Sequence, residues 1–149
     1  MSVDISNYLS GIDPAFEGKF GPKLQGLATP IHDKKDALKA VVEEALGLVG
    51  TQEIADEEES ALLAAGFQFA TELIQQLTKK PSDLELLDPW AHYKHGTKQG
   101  GPKDAGLPFS ATRHKYNRYQ AIKDTSFQKS QAEYIKLVNA LVAKYQLKS

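Results

Sequence analysis

Apolar residues recur at helical spacing in four separate stretches of the chain. From Asp33, the expected N-cap, Leu38, Val41, Val42, Ala45 and Val49 mark one face of an amphipathic helix over about 33–49, which Gly50 stops. An acidic run from Asp56 to Glu59 leads into a second stripe of Leu63, Phe67, Ala70, Leu73, Ile74 and Leu77, ended by "TKKPSD". Asp83 can cap the next helix. Pro89 follows six residues later, lacks an N–H and clashes with a preceding turn, so this helix either kinks at Pro89 or starts with Pro89 in its first turn. Gly100, Gly101, Pro102, Gly106 and Pro108 make a loop over about 98–110, and Ala111 to Lys123 reads as another helix with Tyr116, Tyr119 and Ile122 on one stripe. Thr125 and Gln128 have capping-box spacing and open a last helix carrying Tyr134, Ile135, Val138, Leu141, Val142 and Tyr145. No stretch alternates polar and apolar residues as a half-buried strand would, so the expected class is all-α.

The first 32 residues are interrupted by Gly11, Gly18, Gly21 and Gly26 and by Pro14, Pro22 and Pro30. Helices or strands of useful length are not expected there. Yet Tyr8, Ile12, Phe16, Phe20 and Leu24 recur every four residues, too apolar for a solvated tail, and the expectation is an irregular arm lying on the folded part. The turns near Lys80 and Thr125 are short, which predicts antiparallel neighbours on either side of each, whereas the 98–110 loop can cross over a bundle. This gives two expected regions: residues 1–58 as an N-terminal extension, with an arm over 1–32 and a helix over about 33–49, and residues 59–149 as a four-helix domain.

Composition narrows the function classes. With 149 residues, 41% hydrophobic and 25% charged, the chain has the make-up of one globular domain with an appendage. It has no cysteine, which removes disulfides, thiolate nucleophiles and thiolate metal ligands and suits a reducing compartment. Neither an apolar run of membrane-spanning length nor a charged-then-apolar leader is visible, and the expectation is a cytoplasmic protein without stable membrane insertion. The net charge of -1 conceals a division: residues 1–60 hold 12 acidic and 5 basic side chains, and residues 61–149 hold 7 acidic and 13 basic. A basic half of this kind suits an anionic partner, whether nucleic acid, a membrane surface or a phosphorylated small molecule, although lysines also simply solvate helix faces.

Catalysis finds little support. None of the four histidines sits in a nucleophile motif, and the Gly-rich loop lacks the spacing of a phosphate cradle. His92 and His95 would need a third protein ligand to hold a metal. Binding is better provided for, because "PWAHYKHGTKQGGPK" (residues 89–103) gathers flat rings and lysines. On a helix Trp90, Tyr93 and Lys94 project to one side, a place to stack a base and hold a phosphate. Lys115, Tyr116 and Tyr119 repeat the combination one helix later. Taken singly, each of these aromatics is as readily a core residue.

The run "FATELIQQLTKKPSDLELLDPWAHYKHGT", followed after a loop by "KYNRYQAIKDTSFQKSQAEYIKLVNALVAKY", resembles the acyl-CoA-binding protein family from Gly66 to Leu147. The resemblance rests on the KPSD turn, the aromatic-x-HYK element with Thr97 after it, the lysine-aromatic-x-x-aromatic helix and the AxxxYI-type last helix. It implies a four-helix bundle in up-down-down-up order with an overhand second connection, to which the N-terminal extension is extra. It also implies a monomeric, non-enzymatic carrier and pool former for medium- to long-chain acyl-CoA, needing no cofactor or metal and binding no nucleic acid. By the same resemblance Trp90, Tyr93, Lys94, Lys115 and Tyr134 are ligand-binding positions, and Phe67, Ala70, Leu86 and Leu87 lie near the pantetheine and acyl groove. Trp90 stands where the family usually has tyrosine, Gln75 where many members have lysine, and Tyr116 and Tyr119 where tryptophans are usual. The alternative reading is a helical interaction module that kept the fold and lost the ligand, with the extension as a docking site for a protein partner.

Overall fold

The computed structural model describes residues 3–149. Among them the regular elements are helical: α1 (Ser6–Leu9), α2 (Ile12–Phe16), α3 (Pro22–Ala28), α4 (Lys35–Leu46), α5 (Glu57–Leu73), continued by a 3-10 turn (Ile74–Gln76), α6 (Leu87–Gly96), α7 (Ala111–Ile122) and α8 (Phe127–Tyr145). The all-α class is thus observed, and α5 to α8 form the up-down-down-up bundle, preceded by extra helices. The only extended pairing among the described residues is a single antiparallel bridge between Leu77 and Leu147. It ties the chain's last residues to the end of α5, with Thr78 N donating to Gln146 O at 2.9 Å and Lys148 N to Gln76 O at 2.8 Å.

The central helix is α8, whose 19 residues pack against α6, α5, α1 and α4. Its apolar period supplies this: Ala132, Ile135 and Val138 are fully buried, and Leu141 and Val142 nearly so. α7 packs on α6 rather than on α8. The helices joined by the two short turns are therefore not each other's main partners, contrary to the loop-length argument. The long 98–110 connection is what lets α7 return alongside α6.

The arm is neither irregular nor peripheral. Its three short helices place Ile5, Tyr8, Ile12, Ala15, Ala28 and Ile31 at zero exposure and Leu24 at 3%. They join one continuous apolar cluster with Leu38 and Val42 of α4, Leu63, Phe69 and Leu73 of α5, and Ile135 and Val138 of α8. Asn139 fastens the arm to α8: its Oδ1 accepts from Tyr8 N at 2.8 Å, and its Nδ2 donates to Asp4 O at 3.0 Å. The Tyr8 hydroxyl donates to Gly66 O at 2.7 Å. Burial pushes that phenol far above its ordinary range, so it stays a neutral donor. Gly66 makes this approach possible, since a Cβ there would lie 2.6 Å from Leu38 Cδ1 and 3.1 Å from Tyr8 Oη.

Helix starts differ from expectation at three places. α4 begins after Lys34 with no side-chain cap, while the Asp33 carboxylate meets His32 Nδ1 at 3.0 Å. Asp83 caps nothing. Ser82 and Glu85 instead bond reciprocally, Glu85 Oε1 accepting from Ser82 N at 2.9 Å and Ser82 Oγ from Glu85 N at 3.1 Å. α6 starts at Leu87 with Pro89 in its first turn, where a missing N–H costs nothing. At α8 the cap is Ser126, accepting from Gln128 N and Lys129 N, and not Thr125. Gln128 turns outward to clip the α4–α5 linker, accepting from Ile54 N at 2.6 Å and donating to Ser60 Oγ at 2.9 Å. Asp56, in the acidic run, does cap α5 through Glu59 N.

Candidate functional site

Three hollows adjoin one another on the bundle, and Leu86 lines all of them. Leu86 is presented by the turn that Ser82 and Glu85 close. Glu85 also receives hydrogen bonds from Lys144 Nζ at 2.7 Å and from the Tyr145 hydroxyl, which fixes this turn to the end of α8. Those donors, with Ser82 N, hold the Glu85 carboxyl down at about 2.

The middle hollow, of about 370 Å³, is lined by Thr71, Glu72, Ile74 and Gln75 from the end of α5, by Leu86, Pro89, Trp90 and Tyr93 around the start of α6, and by Tyr134 of α8. Tyr93 and Tyr134 face each other with ring centroids 6.2 Å apart, and Phe67 supports both at 6.2 and 5.3 Å. Phe67 and Ala70 are 3% and 0% exposed and neither is on the lining of the hollow; Phe67 packs against both tyrosines. Tyr134 is itself only 5% exposed. Burial first, then the neighbouring Tyr93 and Glu72, push its phenol well above the usual range, so it stays neutral.

On one side a hollow of about 500 Å³ is bounded by Asp83, Leu84, Leu86, Leu87, Trp90, Ala111, His114 and Lys115. Here the Lys115 ammonium stands 5.2 Å from the centre of the Trp90 ring, a cation–π distance. The half-buried Trp90 forms the wall common to this hollow and the middle one. On the other side a third hollow, of about 450 Å³, is ringed by Lys79, Lys80 and Lys148 around Ile74, Leu77 and Pro81. The whole is an aromatic and aliphatic trench with an ammonium at one end and three more at the other.

The structure brings Trp90, Tyr93, Tyr134, Lys115, Leu86 and Leu87 to this trench. Lys94 is not on its lining: its Nζ donates to Gln99 Oε1 at 2.9 Å, one turn further along α6. Tyr119 serves the scaffold. Its hydroxyl lies 3.2 Å from His95 Nδ1, and its ring fills the space against Gly101, where an added Cβ would come within 2.4 Å. His95 is buried, with Nε2 on Thr125 O at 2.7 Å, so it joins α6 to the α7–α8 turn. His92, 3.0 Å from Ser130 Oγ, is held below its ordinary pKa mainly by burial. Among the described residues no group of three or more His, Asp or Glu is placed to hold a metal ion. Ile74, Pro89, Leu84 and His114 line the trench without having been singled out. Ile74 was visible only as a member of an apolar stripe, and Pro89 only as a helix breaker.

Comparison with known proteins assigns part of the chain to a family. The family model described as "Acyl CoA binding protein" matches residues 64–138. The acyl-CoA-binding protein of Dictyostelium discoideum is 35% identical over 82 residues, which are 53% of this chain and 95% of that protein. The acyl-CoA-binding protein of Saccharomyces cerevisiae is 34% identical over 80 residues, 53% of this chain and 92% of its own length. A Drosophila melanogaster acyl-CoA-binding protein homolog is 34% identical over 87 residues, covering 56% and 99%. No solved structure gives a significant match. These relatives are matched over nearly their whole length, and the match of the family model over residues 64–138 makes the chain a member of the acyl-CoA-binding protein family.

Proposed function

We propose that the chain binds medium- to long-chain acyl-CoA in the trench and acts as an intracellular carrier and pool former, as a monomer and without catalysis. The observation that carries this reading is the pairing of Lys115 with Trp90 at the wall of an apolar groove. A nucleotide base stacks on Trp90 at a gain of about 1–3 kcal/mol, and its phosphates meet the Lys115 ammonium as a point charge. Lys94 reaches the same anion by exchanging its bond to Gln99. The acyl chain lies along Leu86, Ile74, Pro89 and Tyr134, where each buried methylene contributes about 0.8 kcal/mol, so affinity climbs with chain length until the groove is filled. Burial keeps Tyr134 a neutral phenol, and the apolar walls of the trench shield the thioester from water. A cytoplasmic location suits such a carrier, and among the described residues no helix is long and apolar enough to cross a membrane.

We also propose that the extension, residues 1–58, is a stabilising half of one folding unit with the 59–149 domain. Any protein partner of the extension would meet its acidic outer surface.

Trp90 is the only tryptophan, so the test is direct. Palmitoyl-CoA is titrated while emission and heat are recorded, with octanoyl-CoA and CoA alone as controls. The reading expects a change in Trp90 emission and affinity in the order palmitoyl, octanoyl, CoA. Absence of both signals, or equal affinity for CoA alone, contradicts it and favours the interaction module.

A further inference from the structure

The turn that presents Leu86 to all three hollows also carries an exposed hydroxyl with paired cations ahead of it. Ser82 is the only serine or threonine in the chain with a lysine or arginine at both the second and the third preceding positions, Lys80 and Lys79. Residues 79–82 lie outside every helix, and Lys79, Lys80 and Ser82 are exposed. Pro81 fixes its own φ and biases Lys80 toward an extended backbone. Among the described residues, no hydrogen bond or ion pair engages either lysine side chain, and the backbone over 79–81 makes no hydrogen bond. The stretch is free to be drawn out and gripped.

A protein kinase takes its substrate in this form, as a short accessible segment whose charges complement the groove around the kinase's active site. Two classes of kinase read such charges, and the contacts around Ser82 separate them. Lys79 and Lys80 suit a groove lined with carboxylates. Asp83 and Glu85, on the other side of Ser82, suit a groove lined with cations, but Glu85 is already engaged. Its carboxylate accepts from Ser82 N at 2.9 Å, from Lys144 Nζ at 2.7 Å and from the Tyr145 hydroxyl. The unengaged lysines decide for the acidic groove.

We propose that Ser82 is a phosphorylation site for a serine/threonine kinase with an acidic substrate groove, and that the phosphate lowers the affinity of the trench for its anionic ligand. In the modification, Ser82 Oγ attacks the γ-phosphorus of ATP, the bond from that phosphorus to ADP breaks, and the hydroxyl proton passes to the kinase's base. Ser82 Oγ accepts from Glu85 N at 3.1 Å, so the phosphate arrives inside the reciprocal bonding that closes the turn. It brings about two negative charges beside the Glu85 carboxyl, which is held down at about 2 and is therefore ionised at neutral pH. Like charges push Glu85 off Ser82 N, and Leu86 loses its fixed place on the lining of the hollows. The phosphate also offsets Lys79 and Lys80 at this end of the trench. The modification stands whatever the trench holds, whereas its effect on binding rests on the acyl-CoA reading.

The full chain is incubated with magnesium, ATP and the catalytic subunit of cyclic-AMP-dependent protein kinase, an enzyme that selects paired cations ahead of serine, and is read by intact mass and fragmentation. A single phosphate on Ser82 is expected, with none in the Ser82→Ala variant. Incorporation should be at least about tenfold slower in the Lys79→Gln, Lys80→Gln double variant, which removes the charges the groove reads. The phosphorylated chain should melt at a lower temperature and bind palmitoyl-CoA at least about threefold more weakly than the unmodified chain by calorimetry. No phosphate on Ser82, or undiminished incorporation in the double variant, overturns the site. So does faster labelling by an acid-selecting kinase, which assigns recognition to Asp83 and Glu85. Phosphate on Ser82 with unchanged palmitoyl-CoA affinity overturns the effect on the trench. If the unmodified chain does not bind palmitoyl-CoA, the carrier reading fails, and mass and melting temperature still decide the site and the loosening of its turn.

Discussion

The two faces of the α5–α8 pair are built from the same helices and do opposite things. The far face is dry: Tyr8, Ile12 and Leu38 lie at zero exposure against Phe69, Leu73 and Val138. Its polar groups are satisfied internally, through Asn139 and the Gly66 carbonyl. The near face is left open, with Trp90 and Tyr93 half-buried along a trench flanked by lysines. On α5 the division falls between adjacent residues, Gly66 meeting Tyr8 and Phe67 supporting Tyr93 and Tyr134. The extension thus packs into the dry side of these helices and touches the trench rim through Lys23, 2.8 Å from Glu72.

The sharpest way to break this separation is Tyr8→Ala, which empties a fully buried site and removes the hydroxyl that donates to the Gly66 carbonyl. It should destabilise the fold by about 3–5 kcal/mol, read as a lower midpoint in urea, and leave acyl-CoA affinity per folded molecule unchanged. Trp90→Ala should do the reverse, costing about 1–3 kcal/mol of acyl-CoA binding by calorimetry with little change in melting temperature. If both variants lose stability and binding together, the two faces are not separable.

Smaller effects sharpen the boundary. Lys23 of α3 reaches Glu72 on the trench rim at 2.8 Å, the point where the arm meets the binding face. Lys23 is 75% exposed, so Lys23→Gln should weaken binding of the anionic ligand by less than about 1 kcal/mol, with most of the difference vanishing in high salt. Glu85→Gln addresses pH. The native carboxyl is held at about 2 against an ordinary 4.5, so its contribution is complete above pH 4.5 and lost as pH falls toward 2. Melting temperatures of parent and variant should differ at neutral pH and converge across that window.

Much of this was legible from residue spacing. The stripes of α4, α5 and α8 carry enough apolar residues at helical period to be read without ambiguity, and the long loop before α7 marked the crossover. The arm was not, because helices of four to seven residues broken by Gly and Pro have no intrinsic stability and exist only through the burial of Tyr8, Ile12 and Leu24. Caps failed where two candidates adjoin: Thr125 and Ser126 both have a hydroxyl, and only the path of the backbone decides which one meets Gln128 N. In the trench, Trp90, Tyr93, Tyr134 and Lys115 were recognisable by motif, whereas Phe67 and Ala70 share the stripe but point inward. Tyr119 has the same spacing as a stacking residue and is spent on His95 and Gly101, a distinction that depends on the fold of the 98–110 loop.

The most direct test of the two-faced account is an amide and aromatic NMR titration of the full chain with palmitoyl-CoA. The account predicts that resonances of Trp90, Tyr93, Lys115, Tyr134 and Leu86 shift and saturate together, while those of Tyr8, Ile12, Leu24 and Leu38 stay in place. Shifts concentrated in the arm, or a trench that does not respond, would contradict it.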